Sequence, residues 1–379
     1  MAIAAQHAEA PQAPRLVERK VTLRTWTPVD VAVICGAGVS AMSFTWLLFR
    51  LTPFQGAFGF LAISFAVFAF VYWMVIRDIE GPVAAIDKLF TVLVGAGALV
   101  VLMPLVTILV FVTLKGFRAL RLGFFFHDLA KVGPLDPATA GGGLHAIVGT
   151  LEQVGIAVAI SVPLAMMVAV FLNEVGGRLV RPVRFIINAM SGVPSIVAGL
   201  FIFAVWIVQL GNKFSGLAGA LALSVLMLPT VTRTSEEMLR IVPDGLREAS
   251  LALGAPEWRT VSGVVLPTAR TGLLTAVILG VARAVGETAP LIMTAFGASI
   301  LNLNPFKEAQ ASLPLTIYSL IRSPQQAQVD RAWTGAFVLI CLVLALFTLA
   351  RVLGGRAVGG GKRGPSLARR LVGSRRGLR

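Results

Sequence analysis

Charged side chains are scarce in this sequence. Of its 379 residues only 13% are charged, whereas 56% are hydrophobic, and the mean hydropathy is +0.84. A typical soluble domain has about 25% charged residues. The composition therefore excludes an ordinary soluble protein and predicts an integral membrane protein.

Cysteine and histidine are also rare. Cys35 and Cys341 lie in hydrophobic stretches near opposite ends of the chain, so neither a disulfide nor a cysteine metal site is predicted. His127 and His145 lack partners at metal-ligand spacing. The G-x-x-x-x-G-K-[ST] phosphate loop is missing as well, so we expect no catalytic residue, no metal and no cofactor in this chain.

Basic residues outnumber acidic ones, and the net charge is +15. Nine of the basic residues follow Ala350, in a tail without any Asp or Glu. Such a tail is typical of a cytoplasmic end beside anionic lipid. Nucleic-acid binding is therefore not predicted.

Eight hydrophobic runs have the length of about 20 residues that a membrane-spanning helix needs. An all-α, polytopic membrane protein with about eight transmembrane helices is therefore predicted. The spans lie roughly at 29–50, 56–76, 90–114, 147–172, 185–209, 214–232, 271–295 and 333–353.

Lys and Arg collect before the first span, between the fourth and fifth, between the sixth and seventh, and after the eighth. An even number of spans places these segments on one side, which the positive-inside rule makes the cytoplasm. Both termini are thus expected to be cytoplasmic, with the first span as its own insertion signal. The loop at 115–146 carries four basic residues and disagrees with this orientation.

A polar segment, "DGLREASLALGAPEWRTVSGVVLP", interrupts the hydrophobic sequence at residues 244–267. Asp244 is a good N-cap and Gly254 a good helix end. Pro256 can start a second helix and Pro267 can stop it. Two short helices joined by a tight turn are predicted, and we call this segment the polar module.

The first helix of the polar module carries a stripe of small and apolar side chains bordered by Glu248. The stripe could be an ordinary core-facing side, or it could dock into a groove on another protein. It consists of Leu246, Ala249, Ser250 and Leu253.

Two charges lie midway along the seventh predicted span. Each of them, Arg283 and Glu287, costs roughly 2.5 to 3.5 kcal/mol at that depth. Their spacing on one helix would place them on one face, about 6 Å apart along the axis. They could be a structural ion pair, or Arg283 could bind an oxyanion. In the second case Glu287 could accept a hydrogen bond from a protonated oxygen of that anion, and Thr288 could be a further hydrogen-bond donor.

The fifth predicted span contains "SGVPS" at residues 191–195. Gly192 and Pro194 can break a helix inside the membrane. Such a break could open or close a path, or it could be a packing kink.

The polar module resembles the EAA loop of ABC importer permeases. Glu248, Ala249, Gly254 and the Leu266-Pro267 pair match that pattern, and Ser250 stands where the pattern has a second Ala. "ARAVGETAPLIMTA", "FLNEVGG" and "SGVPSIVAGLFIF" resemble the PstA-type permeases of phosphate ABC importers. The resemblance covers about residues 140–300.

The resemblance implies a type I importer permease core of six helices that translocates phosphate, with Arg283, Glu287 and Thr288 on its route. It implies docking of an ATPase subunit on Glu248, Ala249, Ser250, Leu253 and Gly254. ATP and Mg would be bound by that subunit. A second, PstC-type permease and an extracytoplasmic phosphate-binding protein would complete the complex in the bacterial cytoplasmic (inner) membrane.

The expected organisation is a cytoplasmic segment at 1–28, two additional spans at 29–89, the permease core at 90–353 with its coupling loop at 236–267, and a basic tail at 354–379. Three alternatives stay open. They are a secondary anion transporter, an ABC permease for another oxyanion, and a membrane scaffold or receptor that transports nothing.

Overall fold

The computed structural model of the protein describes residues 28–356, with side chains up to Val352. This part of the chain is helical and contains no β-strand. Its α-helices are α1 Pro28–Leu51, α2 Ala57–Glu80, α3 Pro82–Arg118, α4 Leu144–Val170, α5 Val180–Ser191, α6 Ser195–Ile202, α7 Gly216–Arg240, α8 Asp244–Ala252, α9 Glu257–Thr260, α10 Leu266–Val285, α11 Ala289–Thr294, α12 Leu313–Ile321 and α13 Gln326–Arg356.

The predicted spans correspond to seven helices long and apolar enough to cross a membrane, plus one bent pair of helices that can count as an eighth span. The all-α, polytopic fold is therefore confirmed. The predicted cytoplasmic segment and most of the basic tail lie outside the described residues. The orientation and the predicted domain ranges stay predictions.

The chain divides into two compact units between Val106 and Thr107, inside α3. In the first unit α1 and α2 form a helical hairpin around a small core of Ala37, Tyr72, Ile76 and Ala85. Lys88 at the start of α3 forms ion pairs of 2.8 Å with Asp30 of α1 and with Glu80 of α2. One cation therefore ties three helix ends together.

In the second unit α4 lies along α7, and both helices bury small side chains at their contact. Small residues let helix backbones approach closely, which is how helices associate when lipid removes the hydrophobic driving force. On α4 the buried small residues of this contact recur every four positions. They are Ala157, Ser161, Ala165 and Ala169.

The segment between α11 and α12 is largely non-helical and packs against the N-terminal part of α4. The Gln153 amide donates to the Ala311 carbonyl at 3.0 Å, and the Thr150 hydroxyl accepts from the Leu313 amide at 2.7 Å. A β-carbon on Gly149 would collide with the Ala311 carbonyl. Glycine at this position therefore permits non-helical backbone to enter a helical bundle, where protein groups satisfy its hydrogen bonds.

The fifth predicted span is not one straight helix. Its two parts, α5 and the helix beginning at Ser195, meet at an angle of 106° around Gly192 and Pro194. The first part is amphipathic and carries Arg181 and Arg184. The helix is therefore broken inside this span, and the break separates a charged helix from an apolar one.

Pro267 does not stop the second helix of the polar module, contrary to the prediction. Helix continues from Glu257 to Val285 because a widened π-helical turn at Val261–Val265 joins α9 to α10. Proline has no N–H and cannot donate the ordinary α-helical hydrogen bond. The π-helical turn before Pro267 does not require that bond, so the helix can continue through the proline. Gly254 does end α8 as predicted, with φ of +81°.

Candidate functional site

Arg283 lies on a face of α10 that the chain leaves uncovered. Thr275, Leu279 and Gly286 are exposed on the same side of the helix or just beyond its end. Half of the Arg283 side chain is exposed, although it sits in a hydrophobic span. A permanent charge in this place needs polar neighbours.

Glu287 does not share a helix with Arg283, contrary to the prediction. Helix α10 ends at Val285, and Glu287 lies in the break before α11. Proline at position 290 causes this break, because its ring would collide with the carbonyl of Gly286 in a continuous helix. The Arg283 Nε and the Glu287 Oε1 are still only 3.8 Å apart.

The guanidinium of Arg283 keeps most of its hydrogen-bonding capacity. Among the described residues only the Thr230 hydroxyl of α7 accepts a hydrogen bond from it, at 3.3 Å. The distance of 3.8 Å to Glu287 is too long for a hydrogen bond. The planar fork can thus bind two oxygens of an anion while Glu287 lies close by.

Thr288, the third predicted residue, stands at the N-cap position of α11 without a side-chain capping bond. It is partly buried, next to Glu287 in the same break. Thr230 was missed at the sequence level. Its position on α7, 53 residues before Arg283, offers no local pattern that links the two.

The broken fifth and seventh spans pack against each other at Gly199 and Pro290. A β-carbon on Gly199 would lie 2.6 Å from the Pro290 Cα, so glycine is required for this contact. Helix α6 therefore lies directly on α11. Interrupted helices of this kind often line substrate sites in transporters.

The polar module forms a second candidate site, and none of the side chains of α8 is buried. Leu253, directly after α8, is 89% exposed, and Trp258 of α9 is 67% exposed. Glu248, Ala249 and Gly254 are also exposed. Exposed apolar residues beside a charge are typical of a docking surface.

Ser250 differs from the rest of the predicted stripe because it faces the second helix of the module. Its hydroxyl lies 2.9 Å from the hydroxyl of Thr260, which is buried. This hydrogen bond holds α8 against α9. Ser250 therefore contributes to the shape of the module, and its exposed surface is smaller than that of Leu253.

Arg247 and Glu174 form an ion pair that the sequence-level prediction missed. The Arg247 Nη2 lies 2.8 Å from the Glu174 Oε1, and its Nε lies 3.1 Å from the Oε2. The hydrogen bonds and charge of Glu174, together with the charge of Asp244, raise the pKa of the Arg247 guanidinium above its ordinary value. The guanidinium is therefore charged throughout the physiological range.

A family model described as the binding-protein-dependent transport system inner membrane component matches residues 161–358, more than half of the chain. The chain belongs to this family. Both candidate sites of this permease, Arg283 and the polar module, lie within the matched residues 161–358.

Individual relatives agree with the family assignment. The phosphate transport system permease protein PstA 1 of Mycobacterium tuberculosis (strain CDC 1551 / Oshkosh) is 46% identical over 256 residues, which are 67% of this chain and 83% of the relative. PstA of Mycobacterium leprae (strain TN) is 44% identical, covering 65% and 82% of the two chains. PstA of Yersinia pestis is 38% identical, covering 73% and 90%. The predicted resemblance to PstA-type permeases is thus confirmed.

Proposed function

We propose that this chain is the membrane permease subunit of an ATP-driven phosphate importer. The relatives reported above are named as phosphate transport permeases, and the family is one of transport-system membrane components. The chain is a multi-pass membrane protein. Its own residues would supply the path, and the ATP hydrolysis would take place on another subunit.

The observation that carries this proposal is the position of Arg283. A cation with unused donors, on an uncovered face of a membrane span, matches the charge and the planar oxygen pairs of phosphate. Glu287 can accept a hydrogen bond from a protonated phosphate oxygen and balance the Arg283 charge when the site is empty. Because that face is uncovered in a single chain, the path would lie against a second, PstC-type permease.

The polar module supports the coupling half of the proposal. Leu253, Glu248 and Trp258 present an exposed surface that fits a cleft of a nucleotide-binding subunit, where ATP and Mg would bind. In this proposal the module and both termini are cytoplasmic. An extracytoplasmic phosphate-binding protein would deliver phosphate on the opposite side of the bacterial inner membrane.

Phosphate-stimulated ATP hydrolysis tests this function. The complex of this chain with its ATPase subunits and second permease, reconstituted in lipid, should hydrolyse ATP faster when phosphate and the phosphate-binding protein are added together. Sulfate with the same protein should leave the rate unchanged, because phosphate recognition includes a protonated oxygen that sulfate lacks.

Two results would contradict the proposal. Equal stimulation by sulfate would favour a permease for a different oxyanion. Phosphate uptake into vesicles that depends on an ion gradient and continues without ATP would favour a secondary transporter, which has no use for the polar module.

A further inference from the structure

Helix α8 is held to the rest of the chain mainly by polar contacts, because it buries no side chain. Ser250 bonds to Thr260, but both residues belong to the polar module. Among the described residues, the side-chain hydrogen bonds that join α8 to residues outside the module are made by Arg247, whose side chain is only 18% exposed. The module also makes apolar contacts with the spans, but these are made by Val265 and Leu266, which follow α9. Arg247 therefore provides the polar attachment of α8 to the membrane spans.

One guanidinium contacts three separate elements. Its Nη2 donates to the Leu239 carbonyl at the end of α7, at 3.0 Å, and its Nη1 donates to the Val242 carbonyl just after α7, at 2.7 Å. Nη1 also bonds to Asp244 of α8, at 2.9 Å. The remaining donors reach Glu174 in a paired arrangement that fixes both distance and direction.

Glu174 connects this cluster to the fourth span. It lies in the π-helical turn Phe171–Val175 that continues α4, and its side chain is 6% exposed. The amide of Asn173 also donates to it. A buried carboxylate with a two-point contact to an arginine resists sliding or rotation of one element against the other.

A second buried carboxylate, about one turn before Leu239 on α7, provides a comparison. Glu236 of α7 bonds to Arg184 of α5 at 2.6 Å and to Arg240 of α7 at 2.7 Å. That cluster joins spans to each other and contains no residue of α8. The Arg247–Glu174 pair is the one that connects α8 to the end of α4.

We infer that Arg247 and Glu174 are positioning residues that transmit movement of α8 to the fourth span, so that ATP hydrolysis drives transport. This inference rests on the proposed function. When the ATPase subunits move α8, the ion pair carries the displacement to α4, which packs along α7 and hence reaches the helix that bears Thr230. Without the pair, α8 would follow its partner while α4 stays in place.

The test measures transport and ATP hydrolysis separately in the reconstituted complex. Arg247→Gln should lower phosphate transported per ATP by about tenfold while basal ATP hydrolysis and the bound amount of ATPase subunit stay near those of the unmodified complex. Glu174→Gln should have the same effect. The double variant should be no worse than either single variant, because both substitutions break one contact.

Arg184→Gln is the matched control. It removes a cation from a similarly buried carboxylate, and phosphate transported per ATP should stay within about twofold of the unmodified complex. Arg247→Lys keeps the charge but loses the paired geometry. We expect this variant to assemble even if Arg247→Gln does not, with an amount of phosphate transported per ATP between those of the unmodified complex and Arg247→Gln.

Several results would overturn the inference. The first is an unchanged amount of phosphate transported per ATP in Arg247→Gln, and the second is an equal loss in Arg184→Gln. The third is a double variant in which the losses of the two single variants multiply. The fourth is failed assembly of both Arg247 variants, which would indicate a purely structural contact. A failure of the proposed function looks different, since the unmodified complex would then show no phosphate-stimulated hydrolysis.

Discussion

Replacing Arg283 by Gln should lower phosphate uptake by about 10- to 100-fold without changing the amount of the chain in the membrane. Hydrogen bonds to charged groups contribute about 1.5 to 3 kcal/mol each, and about 1.4 kcal/mol corresponds to a tenfold change. Among the residues that the structure describes, Arg283 makes only the 3.3 Å bond to Thr230 and the 3.8 Å approach to Glu287. The fold therefore depends little on this side chain, whereas an anion would depend on it strongly.

Two further variants sharpen this prediction. Arg283→Lys retains the charge without the planar fork, so uptake should fall less than in Arg283→Gln. Arg322→Gln is a control at an exposed arginine on the end of α12, where the guanidinium lies near the hydroxyl and ring of Tyr318. Its uptake should be normal. Loss of the chain from the membrane in Arg283→Gln would indicate that the charge serves folding instead of transport.

Leu253→Asp should separate the membrane subunit from its ATPase partner. Leu253 is 89% exposed in the chain, so its replacement should leave the fold intact. Burial of a leucine side chain in a partner contributes about 1.5 to 3 kcal/mol, and a buried carboxylate adds a desolvation cost. We expect retention of the ATPase subunit on purification to fall by about tenfold or more, with transport falling in parallel.

Leu179→Asp is the matched control for this prediction. Leu179 is 65% exposed, precedes α5 and lies outside the polar module. The ATPase subunit should be retained normally in this variant. If Leu253→Asp also retains the ATPase subunit and transports phosphate, the exposed end of α8 is not the docking surface.

The candidate substrate site could be found from the sequence because charge is so rare in the spans. An arginine and a glutamate within a hydrophobic run are conspicuous because placing each charge inside the membrane costs free energy. The helix break between them could not be placed in the same way. The sequence predicts Arg283 and Glu287 on one helix, and only the backbone shows that α10 ends at Val285 and that Glu287 lies beyond it.

Contacts between distant parts of the chain could not be predicted from a single sequence. Glu174 and Arg247 are 73 residues apart. Glu174 lies at the end of a hydrophobic element and Arg247 lies inside the polar module, and no local pattern links the two. The same holds for Thr230, whose role follows from the packing of α7 against α10. Hydrophobic length predicts which segments cross a membrane, but it carries no information about which side chains meet after the helices pack.

The two leading helices were predicted as spans, and their bounds agree with α1 and α2. Their charges were not assigned a role at the sequence level. The ion pairs of Lys88 with Asp30 and Glu80 give those residues a structural part, because they join the ends of α1, α2 and α3. The paired charges lie at helix ends, where a membrane protein accommodates ions at low cost.

The most direct test of the central claim is a cryo-electron microscopy map of the assembled complex with phosphate trapped inside. We predict tetrahedral density about 3 Å from the guanidinium of Arg283, in a polar cavity between this chain and the second permease. Phosphate density elsewhere, with Arg283 facing lipid or packed against a neighbouring helix away from any cavity, would contradict the account.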